Sequence, residues 1–177
     1  VGITKFAVDQ LGDVTLVEFF DYNCGYCRQA LPDLAALLED DKNLKVILKE
    51  FPILSQGSLE AAQVAVQVAK TEVDYWTFHQ SMFTSRGQVD GQTALKVAGA
   101  MGRNTVPLEM GMSSPEVQKV LQQSYEIAQR LNINGTPSYI IGDEVIPGAI
   151  GVDQLKARIA NMRECGATVC PAPASGG

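Results

Sequence analysis

The 177-residue sequence predicts an α/β fold with a helical subdomain inserted into it. Three observations carry that prediction. Two apolar, β-branched runs flank a helical pattern early in the chain, forming a strand–helix–strand unit whose crossover is right-handed. Roughly 70 residues of helical periodicity follow, too many for a crossover. Strand character returns only afterwards, in two short runs around a Gly-Asp pair.

"VTLVEFF" (14–20) has the continuous apolar character of a strand buried on both faces. Leu31, Leu34, Ala35 and Leu38 recur at helical spacing, with Pro32 predicted to kink that helix by removing a donor. "LKVILKEFPIL" (44–54) reads as the second strand, its pairing ending at Pro52. Four helices are expected at 58–70, 73–83, 91–101 and 114–131. The last has Ser114 as N-cap and Pro115 in its first turn, with Val117, Val120, Leu121, Ser124, Ala128 and Leu131 on one stripe. "SYII" and "EVIP" flank Gly142-Asp143 as a hairpin. A closing helix carries Val152, Leu155, Ile159 and Met162, and "CPAPASGG" has the composition of a disordered end.

The composition, 46% hydrophobic, supports one core without staples. A net charge of −6, without Lys or Arg clusters, argues against a nucleic-acid surface. No apolar run approaches the ~20 residues of a membrane helix. The opening "VGITKF" has no initiator Met and no charged-then-apolar leader, as in a processed or trimmed product.

The four cysteines form two close pairs, Cys24/Cys27 and Cys165/Cys170. C-x2-C serves zinc sites, redox motifs and haem attachment; the last requires a His where Arg28 stands. Context favours redox chemistry. Cys24 follows a buried strand and opens a helix, where free backbone N–H groups favour a thiolate. Cys24 is therefore expected to be exposed and acidic, and Cys27, one turn on, sheltered. A helix end supplies about 0.3–1 kcal/mol, up to ~2 when partly buried, so the dipole alone lowers the thiol by roughly one pKa unit. Direct N–H···S contacts or a nearby cation, for which Arg28 is the candidate, would be needed for more.

Glu18 is the one charged residue inside "VTLVEFF", six positions before Cys24. A buried carboxylate there has a raised pKa and is placed to exchange a proton with Cys27. The alternative is an edge-of-sheet Glu in water or paired with Lys. Thr136-Pro137 opens a strand, where a cis bond costs only about 0.5–1 kcal/mol; an ordinary trans turn is the competing reading. A cis bond would set Thr136's backbone beside Cys24.

Strand with buried acid, "CGYC" at a helix start, helical insertion, Thr-Pro and hairpin together resemble the thioredoxin superfamily. The insertion is similar to that of its DsbA-like branch of bacterial thiol-disulfide oxidoreductases. The resemblance covers about residues 14–163, and "VEFFDYNCGYC" with "GTPSYIIG" is a specific combination. It implies a thioredoxin-like fold, with 1–57 and 132–164 as a discontinuous domain around the insertion 58–131, and 165–177 as a tail. It further implies Cys24 as nucleophile, Cys27 as resolving thiol, Glu18 as buried acid and Pro137 as cis proline. Gly25, Tyr26, Thr136 and Pro137 are expected to border the substrate. Exported proteins with thiols or disulfides are then the substrates, a membrane redox partner resets the pair, and the location is the bacterial periplasm. No cofactor and no metal are implied.

Strong oxidases of the family carry Pro-His between the cysteines, whereas this chain has Gly25-Tyr26. "CGYC" with Thr before the proline is similar to disulfide isomerases and copper-tolerance thiol proteins. Isomerases need a dimer- or trimer-forming segment, and nothing before Val14 is long enough for one. A monomeric oxidase or general exchanger is therefore the first reading, with isomerase or reductase as alternatives.

"CGATVC" (165–170) reads as a structural disulfide, with a second redox pair relaying electrons to Cys24–Cys27 as the alternative. His79, among Tyr75, Trp76, Phe78 and Phe83, reads as a packed or surface histidine rather than a ligand. Met101, Met110 and Met112 read as gap-fillers and loop residues. Two other functional classes compete: a zinc module using all four thiolates, with copper(I) on Cys24 and Cys27 as a weaker version, and a chaperone using the helical insertion.

Overall fold

The computed structural model describes residues 12–174, so the opening "VGITKF" and the end of the tail lie outside the described residues. One sheet has the strand order β2-β1-β3-β4. Strand β1 (Val14–Phe20) pairs in parallel with β2 (Leu44–Glu50), and the crossover between them is helix α1 (Gly25–Asp40). On its other side β1 pairs antiparallel with β3 (Ser138–Ile141), which continues into β4 (Glu144–Pro147). β1 is thus an interior strand. Its residues alternate between faces. Leu16 and Phe20, with Glu18 between them, face the main core, which also holds Cys24, Cys27 and Leu34. Val17 and Phe19 face a smaller cluster with Phe51, Ala128 and Ile133.

The second strand is shorter than expected. It stops at Glu50, and Phe51 adds one last bond, N–H to the Phe20 carbonyl at 2.9 Å. Pro52 has no N–H to offer. The N–H groups of Ile53 and Leu54 go instead to the Asp21 carboxylate, at 2.9 and 3.0 Å. A side-chain acceptor has replaced the ladder.

Between β2 and β3 lie α2 (Gln56–Val68), α3 (Tyr75–Thr84), α4 (Gly91–Ala100), α5 (Thr105–Met110) and α6 (Pro115–Arg130). Each begins at a polar N-cap: Ser55, Asp74, Asp90, Asn104 and Ser114 accept from the first turn. α5 was not expected, because its six residues show no readable period. Leu108 plugs it into the core while Met110 stays 83% exposed. Met101 and Met112 pack against the main core as fillers. On α6, Val117, Leu121, Ser124 and Ala128 are buried, but Leu131 lies past the last turn and is largely exposed. The expected stripe is one residue too long.

The hairpin turns at Gly142-Asp143, with Gly142 at φ +57. Helix α7 (Val152–Cys165) buries Leu155 and Ile159 and ends at Gly166 in the left-handed conformation. Arg163 in its last turn bonds Asp13 at 2.9 Å and Asp41 at 2.7 Å, fastening α7 to the start of β1 and the far end of α1. Among the described residues, no helix is long and apolar enough to cross a membrane.

Candidate active site

The end of β1 feeds a tight turn. The Cys24 N–H bonds the Asp21 carbonyl at 3.0 Å, and the Asn23 N–H bonds the Asp21 carboxylate at 2.8 Å. The second contact is an Asx-type turn. It delivers Cys24 as the N-cap of α1. Its Sγ takes the place a capping oxygen would hold, accepting the Cys27 N–H at 3.1 Å. As a thiol, Cys24 donates to the Thr136 carbonyl at 3.4 Å. The Thr136–Pro137 bond is cis, and the loop it opens is the one that faces the sulfur.

Electrostatics separates the two thiols. The Cys27 thiol beside Cys24 is the largest influence holding Cys24 down, to about 6 from 9.0. The Thr136 side chain and the Cys27 and Tyr26 backbone groups add to it, against the cost of burial. This is a larger depression than the helix dipole alone predicts, and direct hydrogen bonds to sulfur account for it. Arg28 does not contribute: its guanidinium reaches out to the Ser85 carbonyl at 3.4 Å. Burial, then the Cys24 thiolate, push the Cys27 thiol far up. The same proton is therefore easy to lose at one sulfur and hard to lose at the other.

Exposure corrects the sequence reading. Cys24 is only 5% exposed and Cys27 1%. Cys24 is nonetheless not sealed in hydrocarbon, since polar groups line it and Gly25 leaves open space above the turn. Tyr26 stands 67% exposed beside it.

Glu18 is 4% exposed on interior β1, opposite Leu48 and Tyr139, so it is neither at an edge nor in water. Burial first, then the Cys24 charge, raise its carboxyl to about 8. The interaction with Cys24 places this acid within electrostatic reach of the sulfur pair.

Cys165 and Cys170 are joined to each other. The four thiolates of a zinc module are therefore not assembled. A relay to Cys24 is also excluded by position. Arg163, two residues before Cys165, is anchored to Asp41 at the opposite end of α1 from Cys24. Those 16 helical residues span roughly 24 Å.

The sequence reading missed the residues that hold the turn. Asp21 accepts Ser58 Oγ–H at 2.7 Å in addition to its three backbone donors. Tyr22 OH lies 3.1 Å from Tyr75 OH and 3.2 Å from His79 Nδ1, and Tyr75 donates to Glu50 at 2.7 Å. His79 is packed in that aromatic nest, and burial lowers it to about 3. The available signal was an Asp two residues before an Asn, directly after an apolar strand. Their partners, some 25 to 66 residues distant, had no local signature.

Alkylation should report this asymmetry. In the reduced protein the iodoacetamide rate at Cys24 is expected to rise with a midpoint near pH 6, with Cys27 unlabelled throughout. A midpoint near that of an ordinary thiol would contradict the geometry.

The family model for a DSBA-like thioredoxin domain matches residues 15–160. A thioredoxin-like oxidoreductase from Silicibacter pomeroyi DSS-3 superposes with a TM-score of 0.82 at 38% identity, covering 87% of this chain and 88% of that one. A periplasmic thioredoxin-like protein from Salmonella enterica serovar Typhimurium gives 0.75 at 28% identity, covering 85% and 84%. Disulfide bond formation protein D of Bacillus subtilis is 24% identical over 82% of this chain and 71% of its own length. The chain also matches 23% of the length of the Na(+)/H(+) antiporter NhaA 1 of Salinispora arenicola, at 22% identity over 84% of this chain. Fold, cysteine pair and family model agree: the chain belongs to the DSBA-like thioredoxin family of thiol-disulfide oxidoreductases.

Proposed function

We propose that this chain exchanges disulfides in exported proteins, with Cys24 as the attacking sulfur and Cys27 as the resolving one. The observation that carries this reading is the cap: the Cys24 sulfur accepts the Cys27 N–H at 3.1 Å and sits beside the Thr136 loop. The Cys24 thiolate attacks a substrate disulfide and expels one substrate thiolate, leaving a mixed disulfide. Cys27 then displaces the second substrate sulfur, giving the Cys24–Cys27 disulfide and a reduced substrate. Run in reverse, the same steps oxidise a substrate dithiol. The Glu18 carboxyl, raised to about 8, is ionised in a minor fraction at neutral pH. That carboxylate accepts the Cys27 proton during resolution, and the protonated form returns it in the reverse step.

A thiol near 6 is mostly thiolate at pH 7, which favours the reduced form of the pair over that of an ordinary dithiol. That shift is modest. It supports an oxidase or general exchanger, with isomerase as the alternative that "CGYC" favours. Open space at Gly25, exposed Tyr26 and the Thr136–Pro137 loop supply the rim on which an extended substrate is held. Residues 58–131 act as the insertion in a domain made of 1–57 and 132–164, and the Cys165–Cys170 bridge serves as a structural staple for the tail. The periplasm is the proposed compartment, in keeping with the Salmonella relative, and a membrane redox partner resets the pair.

The test is trapping. A Cys27→Ser variant mixed with a disulfide-bonded peptide is expected to hold that peptide on Cys24, seen as an added intact mass that reductant removes. No adduct, or an adduct on another residue, would remove Cys24 from the role of attacking sulfur.

A further inference from the structure

All three residues before the nucleophile insert their side chains among the helices between β2 and β3. Asp21 binds Ser58, Tyr22 meets Tyr75 and His79, and Asn23 reaches furthest. The Asn23 amide donates from Nδ2 to the Val89 carbonyl at 2.8 Å and Ser58 Oγ at 2.9 Å, sharing a longer bond to Ser55 Oγ at 3.3 Å. Its Oδ1 accepts the Val89 N–H at 2.7 Å. One side chain thus satisfies both backbone groups of Val89, as a neighbouring strand would. Val89 can come so close to α2 only because residue 57 is glycine: a Cβ there would lie 2.7 Å from the Val89 carbonyl oxygen. On the far side of the cysteines, Arg28 holds Ser85 of the same loop.

We infer that Asn23 is a positioning residue for the nucleophile: by hooking Val89 and the Ser55–Ser58 cap to the turn before α1, it holds the Cys24 sulfur on the Cys27 N–H and makes its reactivity depend on the inserted helices. The physical reason is leverage. The turn is closed locally only by the Asp21 contacts, and Cys24 must keep a capping conformation, φ −81 and ψ 115, for its sulfur to face the Cys27 N–H. Without the hook, the residue next to Cys24 loses its own tie to the inserted helices, and the remaining ties, at Asp21 and Tyr22, lie further back along the turn. The sulfur then spends less time on its donors. The inference rests on Cys24 being the activated thiol.

The titratable groups around the same sulfur are Cys27 on α1, Glu18 on β1 and Tyr139 on β3, and none is altered in the test. The experiment is a thiolate absorbance titration of the reduced full chain. It compares wild type, Asn23→Ala and Gly57→Ala, with Arg163→Ala as a control at the other end of α1. Gly57→Ala pushes Val89 off its seat without touching Asn23, and alanine is otherwise welcome in a helix. Both loop variants are expected to raise the Cys24 midpoint by about one pH unit, and Arg163→Ala to leave it in place while lowering thermal stability. A loop variant that is less stable but titrates like wild type would reduce Asn23 to a structural bond and overturn the inference. If Asn23→Ala does not fold, Gly57→Ala decides alone. A wild-type midpoint at the ordinary thiol value would instead strike at the proposed exchange function, so the two failures are distinguishable.

Discussion

Replacing Cys24 by serine is expected to bring insulin-disulfide reduction down to the uncatalysed background. The hydroxyl that takes the sulfur's place can still accept the Cys27 N–H, so the cap and the fold survive. The chemistry does not survive, because a serine oxygen stays protonated at neutral pH and forms no disulfide with the substrate. The remaining thiol cannot substitute. Cys27 is 1% exposed, and burial, the largest cause raising its thiol, persists when the Cys24 contributions are gone, so it stays protonated and out of reach. Stopped assays of insulin turbidity with glutathione as reductant, alongside circular dichroism to show an intact fold, make the measurement. Turnover retained in this variant would exclude the cysteine pair as the seat of activity.

The second large effect concerns stability and pH, and it comes from Glu18. Its folded pKa is raised from 4.5 to about 8. Between those values the folded protein keeps a proton that the unfolded chain has released. The stability linked to this group is therefore complete below about pH 4.5 and is lost as pH rises through about 8. At about 1.4 kcal/mol per pH unit, the loss across the window is on the order of 4–5 kcal/mol. Reduced Cys24 acts in the opposite sense. Its folded value of about 6 lies below 9.0, so its contribution is present above 9, and is lost as pH falls through about 6. From pH 6 to 8 the two slopes oppose each other, so the Glu18 and Cys24 contributions nearly cancel. Glu50, raised by burial in the same direction as Glu18, adds a decline common to wild type and any Glu18 variant.

A Glu18→Gln variant removes one slope and keeps the other. Relative to wild type it should gain about 4 kcal/mol between about pH 5 and pH 8, read from urea unfolding of both proteins under reductant. The buried amide adds an offset of its own, but that offset is independent of pH and drops out of the comparison. Parallel curves for the two proteins would mean that the Glu18 carboxyl titrates as an ordinary one and holds no special proton. The same variant should slow resolution of the mixed disulfide at neutral pH, since the carboxylate that accepts the Cys27 proton is gone.

What the sequence determined about this protein is what short-range patterns can encode. A continuous apolar run marks β1, Ser114-Pro115 marks the start of α6, and Gly142-Asp143 marks the hairpin, because capping, burial period and turn conformation are each set within a few residues. The cysteine pair at a strand-to-helix junction and the acid inside the strand were legible for the same reason. α5 was not legible, since six residues are too few to show a period, and β2 was overread because an apolar "FPIL" looks the same whether or not its N–H groups find a strand. Tertiary structure alone decided how acidic Cys24 is and how little of it shows. The thiol of Cys27 and the Thr136 loop 112 residues away meet at that sulfur only after folding. Hydrogen bonds to a thiolate depend on tenths of an ångström, and such distances belong to the packed molecule rather than to the spacing of letters along a chain.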